Sequence, residues 1–240
     1  MGEAAPPVEP VRAAPPQAEA TEEPAARRGV SPIAVVALVL LAATLAVGGF
    51  LGWQVYGTTW LARSAAADAV AGLRAEWAAA PAPEEGERPT ETVPTAGEAA
   101  WILRIPSHGV EWPIASGVEH DVLTRAVGWY PSTALPGQVG NVALAGLRLT
   151  HGAPFGGLLE LEEGDEVVIE TPLAVYTYRI TLPPSQLTVH QDDSWVLDPV
   201  PGKPDLAPTE AILTLTTHED LIDTPDRAVG FGVLDTTEQT

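Results

Sequence analysis

"WYPSTALPGQVGNVALAGLRLTHGAPFGGLLELEEGDEVVIET", residues 129–171, is built of short apolar runs broken by Gly and Pro. The run 141–146 reads as a strand, and Val167 and Ile169 keep a period of two. "LPGQVGN" and "EEGDE" supply the turns, because Gly, Asn and Asp tolerate the backbone angles that turns require. The same texture extends outward on both sides. Trp101, Leu103 and Ile105 alternate with Ile102 and Arg104, and Val110, Trp112 and Ile114 repeat the period. Further strands read at 175–181, 211–217 and 228–234. Few windows show helical spacing. Many short strands with turn signals predict a mostly-β domain, a small barrel or sandwich over residues 99–240, about 140 residues and an ordinary size for one domain.

Near its end lies "AILTLTTHED", residues 211–220. It runs as a buried strand through Ile212, Leu213 and Leu215, then falls into a charged loop at His218, Glu219 and Asp220. The end of a buried strand can hold a reactive side chain rigidly at the edge of solvent. His218 is therefore a candidate for chemistry.

Upstream, residues 81–98, "PAPEEGERPTETVPTAGE", form a Pro, Glu and Thr linker without periodicity. Within 54–80, Ala66, Val70, Leu73 and Trp77 recur at steps of four, three and four, one face of a juxtamembrane helix. That face implies a helix lying on the membrane or on the following domain, with a dimerising stalk as the alternative. Residues 31–53 contain "IAVVALVLLAATLAVGGFL" without a charge, and a helix needs about 20 such residues to cross a bilayer core. Arg27 and Arg28 precede it and the next basic residue is Arg63, so the positive-inside rule predicts a cytoplasmic N-terminus and an extracellular C-terminal domain. Trp53, Tyr56 and Trp60 fit an aromatic belt at the outer interface. A cleaved signal peptide is the alternative, with "SAAADA" at 64–69 as the small-residue site. Signal h-regions run only about 7–15 apolar residues, however, which favours a retained anchor at the plasma membrane. Residues 1–30 are mostly Pro, Ala and Glu, the composition of a disordered tail. The start "MGEAAP" lacks the Ser or Thr at the sixth position that N-myristoylation requires.

Composition excludes several function classes. A formal net charge of -20 over 240 residues, with no cluster of Lys or Arg, argues against nucleic-acid binding. There is no Cys, so disulfides, thiolate metal ligands and thiol nucleophiles are absent from the chain. No G-x-S-x-G, Walker A, H-E-x-x-H or G-x-G-x-x-G occurs.

Residues 129–171, together with "WVLDPVPGKPDLAPTEAILTLTTHEDLIDTPDRAVGFGVL" at 195–234, resemble the class E sortases, membrane-anchored cysteine transpeptidases of high-GC Gram-positive bacteria. The juxtamembrane "YGTTWLARSAA" agrees with the resemblance. It implies an eight-stranded barrel behind a single transmembrane helix. It also implies a substrate, the sorting-signal peptide of a surface or pilus protein, cleaved through a Cys acyl-enzyme without any cofactor or metal. The family pattern "AGHR" supplies the His, and here "AGLR" puts Leu147 in its place. The pattern "TLTTC" supplies the Cys, and here "TLTTH" has His218. The Arg that follows matches Arg227 in "PDRAVGFG". Thr216, Thr217 and Arg148 flank these positions and are the implied substrate-binding residues.

Acyl transfer needs a nucleophile, a proton donor for the leaving amine and a stabiliser for the oxyanion. Of the three, only Arg227 remains. The expectation is a pseudoenzyme that binds a sorting-signal peptide or surface-protein partner. The alternative is altered chemistry, with His218 attacking an acyl group or a metal held by His218, Glu219, Asp220, Asp223, Asp226 and His151. The spacing of those six matches no zinc pattern, and an acidic solvated loop accounts for most of them; a weak Ca²⁺ site is a further alternative. His108, His120 and His190 fall in turn-like polar stretches.

Overall fold

The structure is a computed structural model and describes residues 31–53, 58–80, 91–218 and 224–240. Nine strands follow two helices: β1 (Ala99–Ile105), β2 (Val110–Ser116), β3 (Val127–Trp129), β4 (Gly140–Leu147), β5 (Glu166–Glu170), β6 (Ala174–Leu182), β7 (Thr188–His190), β8 (Ala211–His218) and β9 (Asp226–Gln239). Eight of them close a barrel in the order β6-β5-β1-β2-β3-β4-β8-β9, with β9 returning to β6. The eight-stranded barrel expected from the resemblance is thus present. The ninth strand, β7, pairs only with the start of β9, from Thr188↔Ala228 to His190↔Asp226. At 14 residues, β9 is long enough to serve β7, β8 and β6 in turn. Two pairs are parallel, β2 with β3 and β4 with β8, and each needs a crossover rather than a tight turn. A short helix, α3 (His120–Leu123), forms part of the first crossover.

Alternation sends one side of each strand into the barrel. Leu103, Ile114, Leu144, Leu213, Leu215 and Ile169 fill it, and Trp101 meets Trp129 edge-on with ring centroids 5.2 Å apart, a favourable arrangement of two ring quadrupoles. Buried aromatics with polar atoms need partners. Trp129 Nε1 donates to the Ala134 carbonyl at 3.1 Å, and the Tyr178 hydroxyl accepts from the Gly137 N–H at 2.8 Å. The loop between β3 and β4 is thereby tied to the core. Gly137 has φ +74°, and a Cβ there would lie 2.0 Å from the Tyr176 ring, so the position admits only glycine.

The first helix, α1 (Pro32–Gly52), contains a 19-residue stretch, Pro32–Phe50, long and apolar enough to cross a membrane, and none of that stretch is buried against protein. The second, α2 (Thr58–Ala79), lies on the outside of the barrel. Val70 and Leu73 are buried against Ile102, with Trp77 and Ala99 packed beside them, while Ala66 joins the main core. Arg74 bridges to Glu111 and, at 2.9 Å, to Glu170, which also receives Arg104 at 2.6 Å. The segment "SAAADA" is helical within α2.

The Pro-rich stretch before β1 is not wholly without contacts. The Glu91 carboxylate accepts from the Thr171 hydroxyl and, at 3.5 Å, from Tyr176. Burial raises its pKa above the ordinary carboxylate value, and the hydrogen bonds from Thr171 and Tyr176 only partly oppose that. A carboxylate whose folded pKa is raised gives stability that is fully present below its unfolded pKa and lost as pH rises through the folded value. Glu91→Gln keeps the acceptor and removes the charge. Thermal melts should therefore show the variant matching the natural chain at acidic pH and exceeding it at neutral pH; a gain that does not change with pH would contradict this account.

Candidate functional site

β4 and β8 run side by side in register, so that Gly146 faces Thr217 and Leu147 faces His218. Arg227 is the second residue of β9, the next strand over, and pairs with Val189 of β7. Three positions separated by 71 and 9 residues in "AGLR", "TLTTH" and "PDR" therefore converge at one end of the barrel. The His218 side chain lies outside the described residues, as do Glu219, Asp220 and Asp223.

Leu147 is 4% exposed and packs with Leu123 and Ala145, against Val118 and Tyr130. Its carbonyl accepts from the Phe155 N–H at 3.0 Å, and the Phe155 ring lies so close to Gly146 that a Cβ there would come within 2.7 Å of it. Leu147 is thus a buried member of an apolar cluster that includes the groove residues Val118 and Tyr130, and is held by the turn that follows it.

On the neighbouring strand, successive residues face opposite ways. Thr216 lines a groove of about 390 Å³, together with Tyr130, Val118, Val189, Gln191 and Arg227. Thr217 is fully buried, and its hydroxyl accepts from the Ala228 N–H at 3.1 Å. Grouped with the substrate-binding residues from sequence, Thr217 instead ties β8 to β9 and presents no free surface to a ligand. Arg148 follows Leu147 directly and is half-buried.

Arg227 as a whole residue is 9% exposed. Nη1 donates to the carbonyls of Thr224 at 2.7 Å and Asp226 at 3.0 Å, and Nη2 donates to Gln191 Oε1 at 3.3 Å. Burial pushes the Tyr130 hydroxyl above its ordinary pKa, while the positive charge of Arg227 pulls the other way. Tyr130 thus remains a neutral donor in the groove at physiological pH.

The far wall of the groove is a loop pinned to the barrel by buried polar groups. Asn141 Nδ2 donates to the carbonyls of Val196 at 2.9 Å and Asp198 at 3.0 Å, and the Thr214 hydroxyl donates to Asn141 Oδ1 at 2.7 Å. Tyr130, Gln191 and Asn141 were not singled out from sequence. The available signal was Asn141, a lone amide opening an apolar strand. Among the described residues no group of three or more His, Asp or Glu side chains is placed to hold a metal ion. His151 instead stacks edge-on against His120, with centroids 6.3 Å apart, and its Nδ1 lies 2.9 Å from the Thr150 hydroxyl.

Comparison with known proteins places this geometry. The sortase-domain family model matches residues 103–235. The chain belongs to the sortase family. It is 36% identical over 181 residues to sortase SrtE1 of Streptomyces coelicolor, covering 70% of this chain and 47% of that protein, so the chain spans about half the length of that relative. The structure of sortase E from Streptomyces avermitilis superposes with a TM-score of 0.54 at 35% identity, over 60% of this chain and 93% of that one. Sortase E1 from Streptomyces coelicolor, solved with a tripeptide in its active site, gives 0.53 at 31% identity, over 60% and 91%.

The pinning of the groove wall is directly testable. Asn141→Ala removes the side-chain donor to the Asp198 carbonyl and one acceptor of the Thr214 hydroxyl, which still reaches the Val196 carbonyl at 3.2 Å. Each such loss costs about 1–3 kcal/mol in a buried setting. Chemical denaturation should show a loss of at least that size, and amide exchange should quicken across 194–198; an unchanged midpoint would remove Asn141 from this role.

Proposed function

We propose that this sortase-family barrel holds an extended peptide, a sorting signal or a loop of a surface protein, without cleaving it. The observation that carries the reading is the register Leu147↔His218. The two strand ends where the family pattern has His and Cys are adjacent, and here they carry a buried leucine and a histidine. The chain has no thiol at all, and Leu147 sits in an apolar cluster where it offers no proton. Loss of nucleophile and proton donor together corresponds to a deficit of about 10⁶ in turnover, by analogy with hydrolases stripped of their nucleophile. Binding does not need either group. It needs the groove, whose apolar wall of Val118, Val189 and Leu197 and polar Tyr130, Thr216 and Arg227 combine features usual in peptide and small-ligand sites.

The same reading assigns the surroundings. α1 anchors the protein in the plasma membrane, the N-terminus is cytoplasmic and the barrel lies outside, with Arg27 and Arg28 as the positive-inside signal. Trp53 and Trp60 are exposed, and aromatics at these positions fit a belt at the outer interface.

The test is turnover of a fluorogenic LAXTG-type peptide by the full chain in detergent, beside the double variant Leu147→His with His218→Cys. The natural chain should be silent and the double variant should release fluorescence, because the groove is intact. Cleavage by the natural chain would refute the reading and direct attention to His218.

A further inference from the structure

Arg227 carries a charge that the described part of the barrel does not neutralise. Among the described residues lining the groove it is the only Arg or Lys. Its three acceptors, the Thr224 and Asp226 carbonyls and the Gln191 amide, are all neutral. The acidic side chains on the same groove are engaged elsewhere. Asp193 Oδ2 accepts from the His190 N–H at 2.8 Å, and Asp192 Oδ2 lies 3.3 Å from His190 Nδ1. Arg227 is nine-tenths buried as a residue, so its charge loses hydration that neutral acceptors replace only in part. An arriving anion would find a preformed, planar donor with little reorganisation left to do.

An arginine beside a thiol nucleophile meets the charge of the thiolate and of the oxyanion that forms during the reaction. With no thiol in the chain, neither charge arises by that route, and a partner for Arg227 has to bring its charge already made.

We propose that the groove recognises a carboxylate: the ligand is an extended peptide whose free C-terminal carboxylate, or an Asp or Glu side chain, pairs with Arg227 while its apolar side chains lie against Val118, Val189 and Leu197. This rests on the peptide-holding reading and names its ligand class. The Tyr130 hydroxyl, protonated and on the same groove, is a second donor. A volume of about 390 Å³ is near the lower end of the roughly 300–1,000 Å³ seen for small-ligand sites, which suits the last few residues of a chain. Such a ligand has the chemistry of a cut sorting signal, a product rather than a substrate.

The experiment uses the full chain in detergent micelles and three short peptides carrying an uncharged fluorophore at the N-terminus, read by polarisation. They are Leu-Ala-Ala-Thr as the free acid, the same peptide as the C-terminal amide, and Leu-Ala-Glu-Thr amide. The free acid should bind more tightly than the neutral amide by about tenfold or more, the worth of a charge-assisted hydrogen bond. The gap should close in Arg227→Gln, and it should narrow in the natural chain as salt rises from about 0.05 to about 0.5 M. If the glutamate-bearing amide matches the free acid, the carboxylate is read from a side chain and the proposal holds in that form. Equal, measurable binding of acid and neutral amide overturns carboxylate recognition and leaves the peptide-holding reading standing. No binding by any peptide overturns both. Should Arg227→Gln fail to fold, the salt series on the natural chain decides: a gap that salt does not change is not an ion pair, and the proposal falls.

Discussion

β4 and β8 lie parallel over eight residue pairs, from Gly140↔Ala211 to Leu147↔His218, and a parallel pair cannot be closed by a tight turn. The chain must travel from 148 to 210 before it returns, and on that path it lays down β5, β6, β7 and the loop that walls the groove. Both strands end together, so their last residues are neighbours although 71 positions separate them in sequence. A slip of one residue would turn Leu213 and Leu215 out of the core and Thr214 and Thr216 into it. The apolar filling of the barrel and the composition of the groove are thus set by one register.

The other face of β8 shows the same economy of placement. Thr214 holds Asn141, Asn141 holds the carbonyls of Val196 and Asp198, and Thr216, two residues further on, is left to line the groove. Buried polar groups that are satisfied give a wall with one preferred position. Arg227 is treated differently: its acceptors orient it but do not cancel its charge. Rigid walls around an oriented charge suit recognition, whether or not a reaction follows.

Seven of the nine strands could be read from alternation, because each is long enough to show a period of two. β3 and β7 have three residues each, too few to establish a period, and they are strands only because β2, β4 and β9 supply partners. The stripe of Ala66, Val70, Leu73 and Trp77 was visible as a helix face, but its contact with Ile102 depends on tertiary structure. At the site, nothing in the spacing of Leu147, His218 and Arg227 brings them together; only the family resemblance did. Tyr130, Gln191 and Asn141 escaped notice because their roles depend on where the 191–198 loop folds back. That Thr217 is buried while Thr216 lines the groove follows from the pleat. Neighbouring residues on a strand face opposite ways, and a motif written as letters hides this.

Residues 81–98 read as a linker between helix and barrel, yet α2 is bound to the barrel that the linker leads into. Val70 and Leu73 before residues 81–90, and Glu91 after them, are therefore held on one body. A connection between two points held on one body transmits no reach. Doubling its length would add only about 0.6 kcal/mol of closure entropy, and would carry the groove no further from the end of α2.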